Sequence, residues 1–307
     1  MKDILGNRVE RKDEMLLARD LEAIDDVLYE PVEEELIVRT FLDVYSDIPE
    51  HAEKYMYDRY DRQGKAKRSA TGADDVPLVD NDKTREEQKV ISIENGFKIE
   101  KQELRAARAN GRNVDTEKAE TARRIVAENE NDLVFLGDNE LGIEGLVNAD
   151  GINEFDVPED SDGDGTEWSY KTGQEIISDI REARAKVNQH DGYNADTLVL
   201  PSEQYQELSK PYNDYNSQTI MSYLMEQGWF DSILEISYLE DADPDGDNDS
   251  GLVLDTSSSN MQLGLAIDFQ REEPYRLPNG AYQVRTEERT CGLILRRPLA
   301  VCRFDLI

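Results

Sequence analysis

The chain has 307 residues, enough for one large or two ordinary domains. Aspartate and glutamate number 68 against 35 lysines and arginines, a formal charge of −33 spread along the whole chain, which excludes a single acidic interaction tail as its source. Two cysteines exclude a disulfide framework, and no run of 18 apolar residues is present to cross a membrane as a helix.

A general acid excess points to strong brine. The Debye length is about 8 Å at 0.15 M salt and about 3 Å at 1 M, so molar salt screens repulsion between neighbouring carboxylates. The expectation is a protein of a halophile or of a virus that infects one, with an acidic mesophilic protein as the alternative. The basic residues lean to arginine, 22 against 13 lysines. Met1 is followed by Lys2 and Asp3 without an apolar segment, so no signal peptide is expected.

Residues 1 to about 30 read as an arm. Met15, Leu16, Ala18, Leu21, Ile24 and Leu28 share one helical face but have too few neighbours to form a core, and Pro31 ends the segment. Glu35 to Tyr45 (ELIVRTFLDVY) is expected as a strand. Residues 52 to about 90 are polar, punctuated by Gly64, Gly72 and Pro77. Lys54, Arg59, Arg62, Lys65, Lys67 and Arg68 form a locally basic patch with Tyr55, Tyr57 and Tyr60. Two readings stand: a nucleic-acid contact, or an extended hairpin lying on an acidic neighbour, favoured because Glu53, Asp58 and Asp61 dilute the charge. Val90 to Ile99 returns as a strand.

A helix of roughly 33 Å is predicted from Asp115, as N-cap, to Leu136. Ala119, Ala122, Ile125, Val126, Asn129 and Leu133 make its stripe, and Gly137 falls where a left-handed cap belongs. The glycines at 137, 142 and 145 match no phosphate loop and serve as turns. Gly173 to Asn188 is a second amphipathic helix, with Ile176, Ile177, Ile180, Ala183 and Val187 on one face. A buried strand at Thr197 to Leu200, a helix that Pro201 and Ser202 start, with Ser202 as N-cap, and that runs through Leu208, a helix from Ser217 to Gln227, and a strand at Ile233 to Tyr238 give an α/β layer. From Met261 onward, long antiparallel strands flank a Pro278-Asn279-Gly280 turn, and Pro298 splits the last strand.

Little in the sequence suggests catalysis. His51 and His190 are far apart, no GxSxG elbow occurs, and Cys291 and Cys302 read as buried free thiols rather than a bridge. Asp160, Asp162, Asp164 and Gly165 match the first half of a calcium loop, but position twelve is Lys171 where a glutamate is needed. Those three aspartates are the candidate metal ligands, for a structural divalent cation; a solvated acidic loop is the other reading, as it is for Asp241, Asp243, Asp245, Asp247 and Asp249. No catalytic residue and no cofactor is expected.

Three stretches carry a resemblance: TARRIVAENENDLVFLGDNELGIEGL (121–146), NADTLVLPSEQYQEL (194–208) and VRTEERTCGLILRRPLAVCRF (284–304). In this order the chain resembles the major capsid protein of tailed viruses, of the Hong Kong 97 type, a fold shared by the encapsulins. The resemblance implies an α+β fold with an N-terminal arm at 1–36 and an extended loop at 52–92. A peripheral domain takes 37–51, 93–145 with a spine helix, and 261–291, while an axial domain takes 146–260 and the terminal strand 292–307. It implies a structural subunit, not an enzyme, that assembles with many copies of itself into pentamers and hexamers of an icosahedral shell around double-stranded DNA. Portal, minor capsid or scaffold proteins, weak non-specific contact with packaged DNA, no membrane, and a place in a virion assembled in the host cytoplasm follow from it. An encapsulin shell around a cargo enzyme is the alternative. Some members cross-link subunits through a lysine–asparagine isopeptide bond; the three residues this needs are not located here.

Overall fold

A computed structural model describes residues 37–63, 80–100, 102–103, 114–163, 165–213, 215–242, 248–305 and 307. The arm, and with it the apolar face from Met15 to Leu28, lies outside the described residues. The chain enters through a short helix, α1 (Val38–Phe41), and a two-residue strand, β1 (Val44–Tyr45), that runs parallel to the later strand at Leu263–Gly264. The expected strand over 35–45 is thus corrected to a helical turn and a short strand. Tertiary packing overrides the β-branched composition: Ile37, Val38 and Leu42 all reach the core from a helical turn closed by Leu42 N–H to Val38 O at 2.9 Å.

Two ten-residue strands follow, β2 (Lys54–Gln63) and β3 (Asp80–Lys89), then β4 (Ile91–Ile99). The long helix, α2, covers Val114–Phe135. At about 1.5 Å per residue its 22 residues span roughly 33 Å. It already includes Asp115, which therefore lies in the first turn rather than capping it. Its buried stripe is Ala122, Val126, Glu130, Leu133 and Val134, while Ile125 is 43% exposed and Asn129 is exposed. The expected stripe is right in direction and displaced at two positions, and it omitted the glutamate.

The exit from α2 folds back to satisfy its last carbonyls. Leu146 N–H donates to Val134 O at 2.8 Å, Val147 N–H to Phe135 O at 3.0 Å, and Asn148 Nδ2 to Leu136 O at 2.9 Å. The return requires glycine at two places. Gly137 has φ of 72°, and a Cβ at Gly145 would lie 2.5 Å from Gly137 N and from Phe135 O.

Two sheets follow. The first pairs β1 with β13 (Met261–Arg271), β13 with β15 (Tyr282–Leu295), and β15 with both β4 and the short β14 (Tyr275–Arg276). The Pro278-Asn279-Gly280 turn joins β14 to β15 as expected, with Gly280 at φ 83°. The second sheet has the order β11 (Ser232–Glu235), β8 (Thr197–Leu200), β12 (Ser250–Leu254), β16 (Val301–Asp305), β7 (Asn153–Asp156). Helix α3 (Gly173–Asn188) packs on it through Ile176, Ile180, Ala183 and Val187. Pro298 breaks the terminal strand through a 3₁₀ turn at Pro298–Ala300, and there the chain changes sheet. The division expected after residue 291 falls inside β15, which continues to Leu295.

Three element boundaries in this layer differ from expectation. Helix α4 (Ser202–Glu207) has Pro201, not Ser202, as its N-cap. Before α5 (Ile220–Glu226) the chain forms a hairpin of β9 (Pro211–Asn213) and β10 (Asn216–Thr219), and the Thr219 hydroxyl caps the helix by accepting from Ser222 N–H at 3.2 Å. The strand expected to reach Tyr238 ends at Glu235, and Ser237–Leu239 is a 3₁₀ turn that buries Leu239.

Candidate assembly surfaces

The hairpin of β2 and β3 has a sequence that cannot bury itself. Its strands pair from Lys54 with Lys89 to Gln63 with Asp80, and among the described residues neither pairs with any other strand. At about 3.4 Å per residue it reaches roughly 34 Å. A lone two-stranded ribbon is marginal in water, so its root is anchored. Gln88, 7% exposed, donates from Nε2 to Leu293 O at 2.8 Å, and Val90 N–H donates to Glu53 O at 3.0 Å. Arg289 donates to Glu50 O and, at 2.9 Å, to Ala52 O. Tyr55 lies between Tyr45 and Tyr57 with ring centroids 5.6 and 6.1 Å away, and the Arg296 guanidinium sits 5.6 Å over Tyr45. Burial first, and the Tyr45 hydroxyl second, push the Tyr55 phenol up to about 12.

Away from the root the ribbon is wet. Met56 is 54% exposed, Lys54 pairs with Glu87, and Arg85 meets Asp58 at 3.3 Å. Of the basic patch singled out in the sequence, only Lys54 has a described side chain; Lys65, Lys67 and Arg68 lie outside the described residues.

Where α1, α2 and the first sheet meet, a partly exposed arginine gathers two buried carboxyl groups and one exposed carboxylate. Arg39 grips Glu130 with two hydrogen bonds, Nε to Oε1 at 2.8 Å and Nη2 to Oε2 at 2.6 Å. The same Nη2 reaches Glu288 Oε2 at 3.1 Å, and Nη1 reaches Asp268 Oδ1 at 2.9 Å. The Glu130 and Glu288 side chains are 2% and 1% exposed, whereas Asp268 is 71% exposed. Burial, and then the neighbouring Glu130, push the Glu288 carboxyl up to about 9. Sequence reasoning missed this cluster. Its one legible signal was Glu130 standing four residues after Val126, in register with the apolar stripe.

The candidate cation loop is tied down by its own backbone. Asp160 Oδ1 accepts from Gly165 N–H and Oδ2 from Asp162 N–H, both at 3.2 Å, and Asp162 is exposed. Asp164 lies outside the described residues. Among the described residues no three histidine, cysteine or carboxylate side chains converge as metal ligands. Lys171, at the position a calcium loop gives to glutamate, is buried and pairs with Asp179 at 2.8 Å while donating to Pro158 O at 2.6 Å. Glu175 fastens the loop to α3, accepting from the Ser161 hydroxyl at 2.6 Å and from Thr172 N–H at 2.8 Å; these bonds pull its carboxyl down to about 2. Asp241 N–H donates to Asp249 Oδ1 at 3.0 Å, and Asp243, Asp245 and Asp247 lie outside the described residues.

Cys291 and Cys302 are free and buried, and burial pushes each thiol up to about 12, so neither is a ready nucleophile. His51 is exposed and His190 rests edge-on against Tyr193 at 6.2 Å.

An anchored ribbon, a long helix packed on a sheet and a second α/β layer make up the described architecture. The family described as Major capsid protein matches residues 64–307, and the chain belongs to that family. A curated relative, the type 1 encapsulin shell protein EncA of Myxococcus xanthus, is 25% identical over 269 residues, 88% of this chain and 85% of that protein. The capsid of the myovirus phage XM1 superposes with a TM-score of 0.74 and 16% identity over 94% of this chain and 98% of that one. Gordonia phage Cozz gives 0.64 with 15% identity over 93% and 91%, and the virus-like particle of Pyrococcus furiosus 0.60 with 12% identity over 87% and 91%. The fold is that of the Hong Kong 97-type capsid proteins.

Proposed function

We propose that this chain is the main structural subunit of a tailed-virus shell, assembling as pentamers and hexamers into an icosahedral particle around double-stranded DNA. The observation that carries the reading is the ribbon of β2 and β3, which projects roughly 34 Å and pairs with no other described strand of its own subunit. Covering such a ribbon takes a neighbouring copy, and obligate assemblies bury about 2,000–5,000 Å² per interface. The role is structural rather than catalytic. Portal, minor capsid or scaffold proteins are its further partners, its contact with packaged DNA is weak and non-specific, and it is built into virions in the host cytoplasm.

The charge of −33 favours a virus of halophilic archaea, because molar salt supplies the cations that an acidic shell around DNA needs. Electron micrographs of the purified chain in molar salt test the proposal: large icosahedral particles with nuclease-protected DNA are expected, and monomers alone would overturn it. The relative EncA favours a second reading, an encapsulin enclosing a cargo enzyme. Smaller particles filled with protein and free of DNA would decide for it. Lowering the salt is expected to loosen the particles, and scattering unchanged down to low ionic strength would count against the brine argument.

A further inference from the structure

The cluster at Arg39 holds more acid than base in a dry place. Glu130 and Glu288 are each 1% exposed and share one guanidinium. Both carboxyl groups lie against the same Arg39 nitrogen, Nη2, and one guanidinium cannot neutralise two enclosed carboxylates. The geometry shows which group carries a proton. Glu130 receives both prongs of the Arg39 fork and is the ionised partner. Glu288 receives one longer contact at Oε2, and its Oε1 is buried without a hydrogen bond from any described donor. An orphaned buried carboxylate oxygen is costly, and a proton on that carboxyl removes the charge that makes it so.

We propose that Glu288 stays protonated at neutral pH and donates to Glu130, so that Arg39, Glu130 and Glu288 form a neutral clasp that opens when alkali removes the proton. The clasp joins three segments far apart in the chain: the helix at the root of the N-terminal segment, the long helix α2, and the long strand β15. Among the described residues, four elements bring charged groups to it. Arg39 comes from α1, Glu130 and the more distant Arg123 from α2, Asp268 from β13 and Glu288 from β15; β4 places Ile93 opposite Glu288. Removing the proton leaves two enclosed negative charges against one guanidinium, and helix and strand are driven apart there. Asp268, mostly in water, adds repulsion but no proton.

Infrared spectra of the full-length chain, recorded from about pH 6 to about pH 10 across the range in which a shifted carboxyl titrates, test this directly. Wild type is expected to show the carbonyl stretch of a buried protonated carboxyl at neutral pH and to lose it in alkali. Glu288→Gln is expected to lack that band while keeping a donor to Glu130 at every pH. Its unfolding equilibrium constant should stay level where that of wild type rises at least about tenfold between pH 7 and 9. A wild-type spectrum without the band at neutral pH, or a pH slope in Glu288→Gln equal to that of wild type, would overturn the proposal. The wild-type spectrum decides even if the variant fails to fold.

Discussion

The ribbon of β2 and β3 and the clasp beneath α2 use the same residue types to opposite ends. On the ribbon, Lys54 with Glu87 and Arg85 with Asp58 stand in solvent, where water and salt screen each pair and side-chain entropy offsets most of the attraction. Under the helix, Glu130 and Glu288 are buried and share the partly exposed Arg39, so water and salt weaken these contacts less and each carboxyl depends on the other groups. The ribbon is therefore available to a neighbour and responsive to brine, while the clasp belongs to the subunit and responds to protons.

Predictions follow that contrast from its strongest point to its weakest. Glu130→Ala takes the two-pronged partner from Arg39, which keeps Glu288 and Asp268, and removes the helix from the clasp; a loss of about 1.5–3 kcal/mol is expected in denaturant unfolding. A change below 1 kcal/mol would erase the distinction between the two regions. The pH response comes next. Burial, and then the neighbouring Glu130, push Glu288 in the folded chain up to about 9 from its ordinary 4.5, so its proton stabilises the fold fully below the lower value. That contribution fades as pH rises between the two values and is gone above the upper one; stability measured at fixed salt should fall across this window.

The ribbon's root gives an intermediate effect. Gln88→Ala leaves the Leu293 carbonyl without its side-chain donor and should cost about 1 kcal/mol. Hydrogen exchange should quicken along β2 and β3 and leave α3 unchanged. The smallest effect is reserved for the exposed pairs. Lys54→Ala and Arg85→Ala should each change subunit stability by less than about 0.5 kcal/mol, and by nothing measurable in molar salt. A cost that persists in molar salt would mean that the ribbon, like the clasp, is locked within its own subunit.

Much of this architecture was legible because burial imposes period on sequence. Helix α3 was readable to its ends, since Ile176, Ile180, Ala183 and Val187 leave no other face to bury, and all four are buried. The glycine-rich exit was readable as a set of turns, although its role in capping the carbonyls of Val134, Phe135 and Leu136 was not. Two ambiguities misled the reading. A β-branched run at 35–45 fits a strand as well as a buried helical turn, and a stripe scored only for apolar residues passes over Glu130. Helix α5 begins three residues later than expected, at Ile220 rather than Ser217, because β10 runs on to Thr219, which caps the helix.

By itself the sequence determined the period of its helices and strands, the punctuation between them and the sign of the whole surface. These are properties of neighbouring residues and of summed charge, and they need no distant partner. Only the tertiary structure decided that Arg39, Glu130 and Glu288 share one enclosure, that Lys171 pairs inward with Asp179, and that the ribbon pairs with no other described strand of its subunit. Each depends on contacts between residues far apart in the chain or on burial, which sets whether a charge is solvated, paired or protonated.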